Sequence, residues 1–244
     1  MRVSAPLESM PRLERVRLDA VTVRLGGHVV LRDLSLSFGA GEHVCVRGGN
    51  GAGKTTLLRL VAGALRPWRG TRSGPRACAY VPPALAPPAM TVAGWMREVR
   101  RERVDDPDAA LARLGFDDDA RASCRELSFG NLRKVLLADA CTARTDVVAI
   151  DEVHVGLDHA GRAGLEELMA GARARGATVV VAAQDDDVVN DADRTLVVRD
   201  GQVTDAGPTG DTVRHTLRGP RSGESALLDA AERLGFRVVD GDDR

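Results

Sequence analysis

The chain has 244 residues, 43% hydrophobic and 28% charged, which suffices for one α/β domain or one domain with an inserted subdomain. Its 34 basic and 35 acidic residues give a net charge of -1, so no overall field favours nucleic acid or anionic lipid as the main partner. No stretch approaches the roughly 18 consecutive apolar residues that cross a bilayer, and the first residues lack the apolar segment of a secretory signal. We therefore expect a soluble, intracellular protein that does not bind nucleic acid.

The N-terminal part predicts an antiparallel hairpin followed by a strand, a loop and a helix. Alternating apolar residues over 15–25 and an extended run over 28–38 flank the glycine turn at 26–27. A short strand over 42–47 leads into a glycine-rich loop, after which an apolar helix runs from about Lys54 to Ala62.

Two continuous apolar runs, at 146–150 and 178–183, flank a predicted helix over 160–175. Strands of this kind are buried on both faces and, when separated by helices, are typical of a parallel sheet. Two further short strands are predicted within 185–206, around Asp200 and Gly201.

Between Pro82 and Cys141 the pattern changes. A proline-rich stretch precedes three segments with helical spacing, at 91–101, 109–116 and 131–141, and no strand pattern separates them. We predict an α/β fold with a parallel-sheet core, an N-terminal antiparallel β subdomain, and an inserted α-helical subdomain over about 84–142. One more helix is predicted at 225–236, within a tail that starts at Gly207.

The cysteines and lysines are also informative. The cysteines show no C-x-x-C spacing and lie in or beside apolar segments, so we expect reduced core residues; they are Cys45, Cys78, Cys124 and Cys141. Only Lys54 and Lys134 are lysines among the 34 basic residues. In a composition so biased to arginine, a lysine that persists suggests a chemical requirement.

The glycine-rich loop fits the pattern G-x-x-x-x-G-K-[ST], between a predicted strand and a predicted helix. Glycines let successive backbone N–H groups surround a phosphate, and the helix N-terminus adds a partial positive charge. We expect Lys54 to contact the β- and γ-phosphates of ATP and Thr55 to bind Mg²⁺. An ordinary glycine turn before a helix is the alternative. The predicted ATP-binding residues of this segment are Gly48, Gly49, Asn50, Gly51, Ala52, Gly53, Lys54, Thr55 and Thr56.

Two acids follow the buried strand at 146–150. Asp151 is predicted to bind Mg²⁺, and Glu152 to orient or deprotonate the attacking water. Surface carboxylates at a strand end are the alternative. Together with the glycine loop, the pair predicts a P-loop NTPase.

Four segments resemble the ATP-binding cassette (ABC) family, the nucleotide-binding domains of ABC transporters. Gly48 to Thr56 resembles its Walker A motif, and residues 149–152 resemble Walker B with the adjoining glutamate. Residues 155–158 (VGLD) resemble its D-loop, and residues 127–131 (LSFGN) stand where its LSGGQ signature belongs. The order and spacing also agree, over about residues 14–206.

The resemblance implies an ATPase in which two cassettes close head to tail around two ATP molecules. Ser128 and the Gly130 amide would then contact the γ-phosphate held by the second cassette. A helix that is simply capped by Ser128 is the alternative for this segment.

The chain departs from the family at several positions. Leu25 stands where an aromatic ring usually stacks on adenine, which costs on the order of 1 kcal/mol of stacking. Pro83 stands at the Q-loop glutamine, and Gln184, which we include among the catalytic residues, stands at the switch histidine. Phe129 and Asn131 replace signature residues. We expect weaker ATP binding and slower turnover, with hydrolysis retained through Glu152.

Other residues have alternative interpretations. His154 is a metal ligand, a substitute for the absent histidine, or a polar loop residue. Trp95 and Met96 belong either to the core or to a surface that contacts a membrane subunit. Three acidic clusters lack the calcium-loop pattern and are interpreted as turns and helix caps; they are 105–106, 117–119 and 185–187.

These features predict an N-terminal tail at 1–13, an ABC ATP-binding domain at 14–206 and a C-terminal extension at 207–244. The resemblance implies a dimer at the cytoplasmic face of the membrane that drives a separately encoded permease, with bacterial export expected. Two alternatives stay open: a slow or non-hydrolysing regulatory cassette paired with a complete one, and a soluble ABC ATPase without a role in transport.

Overall fold

The computed structural model describes residues 12–84, 86–98, 106–183 and 192–207. In chain order the strands are β1 (Glu14–Leu25), β2 (His28–Gly39), β3 (His43–Arg47), β4 (Arg69–Ser73), β5 (Cys78–Val81), β6 (Val147–Ile150), β7 (Thr178–Ala182), β8 (Arg194–Arg199) and β9 (Gln202–Asp205). The helices are α1 (Lys54–Val61), α2 (Val92–Glu98), α3 (Pro107–Arg113), α4 (Phe129–Thr142) and α5 (His159–Ala174).

A six-stranded sheet forms the centre of the fold, with strand order β5-β6-β7-β3-β8-β9. Strands β5, β6, β7, β3 and β8 are parallel, and β9 runs antiparallel to β8. The carboxyl ends of β3, β5, β6 and β7 therefore lie along one edge, where ligands bind in open α/β sheets. The predicted parallel-sheet core is confirmed.

Both faces of this sheet are covered, which explains its continuous apolar strands. In β6, Val147 and Ala149 pack into the cluster that contains α1 and the antiparallel sheet, whereas Val148 and Ile150 pack against α4 and α5. All four side chains are buried. The end of β6 is thus fixed from both sides.

A second, antiparallel sheet has the order β2-β1-β4. The predicted hairpin is confirmed, with Leu25 paired to His28 beside the turn. Strand β4 was not predicted, because Arg-Gly-Thr-Arg-Ser contains no apolar residue. It joins the sheet through its backbone, pairing Ser73 with Arg17 of β1.

The inserted segment is helical, as predicted. Helices α2, α3 and α4 lie between β5 and β6, and the described part of the insert contains a single isolated bridge, between Thr91 and Ser123. Met96 is buried and Trp95 packs against the same core cluster. This supports a core position for both.

Two described residues of the acidic clusters act as a helix cap and a turn residue. Asp106 accepts a bond from the backbone N–H of Asp108 at the start of α3, and Asp119 accepts one from the N–H of Arg121. The four cysteines are thiols and form no disulfide with one another; Cys78 is half-buried and the others are buried. None of the helices in the described ranges has the length and apolarity that a membrane span needs.

Some predictions concern residues outside the described ranges. They include Gln184, the acidic cluster at 185–187, the helix at 225–236, and most of the tail at 1–13. The division into the segments 1–13, 14–206 and 207–244 stays a prediction.

Candidate functional site

The phosphate loop, Gly48–Thr55, connects the carboxyl end of β3 to α1. Gly48, Gly51 and Gly53 have φ angles of 146°, 78° and 113°, a region in which side chains are strained. A Cβ on Gly48 would lie 2.4 Å from the carbonyl oxygen of Val198. The glycine at this position is therefore required by a close approach to β8 as well as by its backbone angle.

Lys54 folds back over this loop. Its Nζ donates a short hydrogen bond to the carbonyl of Gly48 and a 3.2 Å bond to that of Gly49. The two bonds hold the ammonium group over the loop. Both partners are neutral carbonyl groups, so neither contact neutralises its positive charge. A phosphate group is the kind of anion that this arrangement favours.

A cavity of about 210 Å³ lies beside the loop. Its walls combine residues 49–56, the acids Asp151 and Glu152, and three apolar residues, Val30, Ala182 and Ala183. The structure thus brings together the two segments that the sequence predicted to share a phosphate site. A second, 340 Å³ groove, lined by residues 143–145, Arg175 and Ala177, lies at the amino ends of β6 and β7, away from these acids.

Asp151 follows β6 directly, and its side chain is 1% exposed. Its Oδ2 accepts a 3.4 Å hydrogen bond from the Tyr80 hydroxyl, whose oxygen lies 3.4 Å from Nε of Arg59. Burial raises the pKa of Tyr80, and the Asp151 carboxylate acts in the same direction, while Arg59 opposes it. Tyr80 is therefore a neutral donor that orients the aspartate.

Glu152 is half-buried and lines the same cavity. Its φ angle is +49°, a left-handed conformation that is uncommon for a residue with a side chain. Such outliers persist where surrounding contacts hold them, and they concentrate at functional sites.

The donor set suits Mg²⁺. Thr55, the second residue of α1, lies at the cavity wall and offers a hydroxyl oxygen, and the buried Asp151 offers carboxylate oxygens. A buried carboxylate needs compensation by charge or hydrogen bonds, and Mg²⁺ prefers oxygen ligands. The residues present therefore fit the ion. Within the described ranges, no group of three or more His, Cys, Asp or Glu side chains is placed to hold a metal by itself.

The signature segment does not line the cavity. Ser128 caps α4, its Oγ accepting a 3.1 Å bond from the N–H of Asn131. The Phe129 side chain is 48% exposed and its ring lies against Gly156 of the D-loop, where an added Cβ would be 3.2 Å from the ring. Gly130 approaches the carbonyl of Gly156 closely. Signature and D-loop thus form one packed surface.

Three other positions from the sequence analysis can be placed. Leu25 lies at the tip of β1, 41% exposed. Pro83 follows β5, partly buried, two residues after the end of the strand. His154 lies in the turn after β6 and is buried.

Sequence reasoning missed Tyr80, Arg59 and Arg133 as residues of this region. Arg133 is fully buried in α4. One signal was available: an arginine among the apolar residues of the predicted helix at 131–141 requires partners if that helix is buried.

Known proteins resemble this chain in sequence. A family model described as "ABC transporter" matches residues 31–155. A zinc import ATP-binding protein, ZnuC, of Chromohalobacter salexigens is 40% identical over 151 residues, covering 60% of this chain and 63% of that protein. This chain therefore spans less than two thirds of that relative. ZnuC of Roseobacter denitrificans is 34% identical over 194 residues, covering 77% of this chain and 76% of that protein.

Two solved structures share the fold. An ATP-binding subunit of an ABC transporter superposes with a TM-score of 0.69 at 21% identity, covering 93% of this chain and 96% of the other. A dimeric ATP-binding cassette bound to ADP and phosphate after hydrolysis superposes with a TM-score of 0.65 at 20% identity, covering 84% of this chain and 100% of the other. These likenesses show the fold, and the family match together with the sequence relatives shows that the chain belongs to the ABC transporter family, as an ATP-binding cassette.

Proposed function

We propose that this chain binds Mg²⁺–ATP in the cavity beside the phosphate loop and hydrolyses it as one half of a paired cassette that energises a separate membrane permease. One observation supports this most strongly: Lys54, the glycine loop, and the carboxylates Asp151 and Glu152 converge on a single cavity. A purely structural role could explain each of these groups alone, but it does not explain why all of them line the same cavity.

In the proposed site the triphosphate of ATP replaces the carbonyl groups of Gly48 and Gly49 as the hydrogen-bond acceptor for Lys54. Backbone N–H groups at the start of α1 and the partial positive charge of its N-terminus bind the phosphate oxygens. Thr55 and Asp151 hold Mg²⁺, which supplies charge neutralisation at the β- and γ-phosphates. Leu25 offers a smaller contact to adenine than an aromatic ring does.

Glu152 is the proposed base or water-orienting group. Its carboxylate stands one residue beyond Asp151 and lines the cavity, so a water between it and the γ-phosphate has an acceptor for its proton. Gln184 is proposed to hydrogen-bond to the γ-phosphate. An amide cannot carry the positive charge of a histidine, so we propose a slow turnover.

We propose that the site is completed by a second cassette. Ser128 and Gly130 lie outside the cavity of their own chain, which suits a contact with the nucleotide held by a partner. For that contact the N–H groups at the start of α4 must point toward the partner's phosphate. The chain would then act at the cytoplasmic face of a membrane, bound to its permease.

The relatives argue against the export direction expected from the sequence, because both ZnuC proteins are named for zinc import. We propose uptake instead, with zinc as the first cargo to test. Growth of a deletion strain in zinc-depleted medium, with and without added zinc, tests the cargo separately from the ATPase.

One observation favours a second candidate, a regulatory cassette that hydrolyses slowly or not at all. The exposed Phe129 ring stands where the family has glycine, and it lies over Gly156. A ring at this place hinders the close approach of a partner's phosphate. Such a chain would bind ATP yet depend on a more complete cassette for turnover.

Phosphate release by the purified protein, with and without its permease, tests the proposal. Glu152→Gln should abolish release while leaving ATP binding intact. Glu167→Gln, on the exposed face of α5, is the matched control and should behave as the wild type. Equal background rates for the wild type and Glu152→Gln in both settings would favour the regulatory candidate.

A further inference from the structure

Arg133 is a fully buried charge in the signature helix. Its side chain is 0% exposed, in the second turn of α4. Burying a guanidinium is unfavourable unless its N–H groups are satisfied, and burial accordingly lowers the pKa of Arg133, although Glu152 and Asp151 oppose that change. A side chain kept at this position must therefore be held by specific partners.

Those partners are backbone carbonyls of two neighbouring strand ends. Nη1 donates to the carbonyl of Pro82, just after β5, at 3.1 Å. Nη2 donates to the carbonyls of Asp151 and Glu152, just after β6, the second at 2.8 Å. One planar group thus connects α4 to the loop after β5 and to the residues after β6 that line the candidate catalytic cavity.

The contact with Glu152 is important because the backbone of Glu152 has a left-handed φ angle of +49°. A peptide in this strained conformation keeps its orientation only when neighbouring groups hold it. The position of the Glu152 carboxylate follows from the orientation of its backbone. A guanidinium that binds the carbonyl groups of Asp151 and Glu152 therefore also fixes the position of their carboxylates relative to the phosphate loop.

We propose that Arg133 is a positioning residue that sets the place of Asp151 and Glu152 and couples them to the signature helix. The inference rests on the proposed roles of those two acids. Pro83 has no side-chain amide with which to bridge the cavity, and the Arg133 bond to the adjoining Pro82 carbonyl gives this loop a link to α4. A partner that moves the start of α4 would thereby move the catalytic carboxylates.

The next residue of the helix is a matched control. Lys134 is also buried and cationic, and its Nζ also donates to a backbone carbonyl, that of Gly115 at 2.7 Å. Gly115 lies just beyond α3 and does not line the cavity. Lys134→Met therefore removes a buried cation from the same helix without touching the strand ends.

The test compares Arg133→Met, Arg133→Lys and Lys134→Met by steady-state kinetics on folded protein. Displacement of supporting contacts typically lowers activity by about 10- to 100-fold. At saturating Mg²⁺ we expect Arg133→Met to lose kcat to this degree with an unchanged KM for ATP, because the phosphate loop is intact. Arg133→Lys should recover part of the loss, and Lys134→Met should keep the wild-type kcat. Equal losses for Arg133→Met and Lys134→Met, or an unchanged kcat in Arg133→Met, would overturn the proposal.

Hydrogen exchange measured by mass spectrometry gives a readout that does not need hydrolysis. Peptides covering residues 147–157 should exchange faster in Arg133→Lys than in the wild type, and Lys134→Met should leave them unchanged. Arg133→Lys keeps a buried cation, so the exchange measurement can be made on it even if Arg133→Met fails to fold. Wild-type protein without ATPase activity would contradict the proposed function, whereas unchanged exchange in Arg133→Lys would contradict the positioning role.

Discussion

The Tyr80 hydroxyl lies 3.4 Å from Oδ2 of Asp151, and this bond links β5 to the carboxylate that follows β6. Arg59, on the helix that follows the phosphate loop, reaches the same hydroxyl oxygen. The aspartate is therefore oriented from the side of α1, the element that also carries Lys54 and Thr55. Orientation of a metal-binding carboxylate by an outer hydrogen bond commonly tunes how tightly the metal is held.

Tyr80→Phe should raise the Mg²⁺ concentration needed for half-maximal ATP hydrolysis. A hydrogen bond of this kind contributes about 1 kcal/mol, or roughly fivefold in an equilibrium constant. The ring keeps its packing, so the melting temperature should change little. A Mg²⁺ titration of the ATPase measures the effect, and an unchanged midpoint would show that the hydroxyl does not orient Asp151.

Gly48→Ala should destabilise the fold more than Gly51→Ala. Both residues have positive φ angles, but an added Cβ at Gly48 meets the Val198 carbonyl at 2.4 Å, whereas nothing lies within 4 Å at Gly51. We expect a loss of about 2–4 kcal/mol for the first and about 1 kcal/mol for the second. Urea unfolding measures both, and equal losses would contradict the close approach to β8.

Asp193→Asn should reduce stability at neutral pH and have little effect in acid. Burial raises the pKa of Asp193, but donors from Arg12, the His43 N–H and Arg173 outweigh it and lower that pKa overall. Its stabilisation is then fully present above the unfolded pKa of about 3.9, and is lost as pH falls through the lower folded value.

For this variant we expect a loss of about 1–3 kcal/mol at pH 7. Urea unfolding at pH 7 and again at pH 3 gives the comparison, with Glu167→Gln as the exposed carboxylate control. A deficit that is as large at pH 3 as at pH 7 would show that the charge of Asp193 is not the cause.

Phe129→Gly should strengthen ATP-dependent pairing of the cassettes. The substitution removes the exposed ring over Gly156 and restores a residue that allows close approach at the signature. Size-exclusion chromatography with Mg²⁺–ATP, in the Glu152→Gln background, measures the monomer–dimer equilibrium. If pairing weakens instead, the ring itself is part of the contact between cassettes.

The sequence was sufficient for the parts of the site that depend on local patterns. The phosphate loop is contiguous, so its motif predicts Lys54 and Thr55 directly, and an apolar strand that ends in acids predicts Asp151. Arg133 could not be found in this way, because its contacts join α4 to residues 18 and 19 positions further along the chain. Strand β4 has no apolar pattern, and only its backbone pairing with β1 reveals it.

The central claim is that the glycine loop and the two acids form one site for Mg²⁺–ATP. Isothermal titration calorimetry of Glu152→Gln protein, in which hydrolysis is arrested, measures that binding directly. We predict saturable binding of one ATP per chain that requires Mg²⁺, and its loss when Lys54→Ala is added. Equal affinity with and without the Lys54 ammonium would contradict the account.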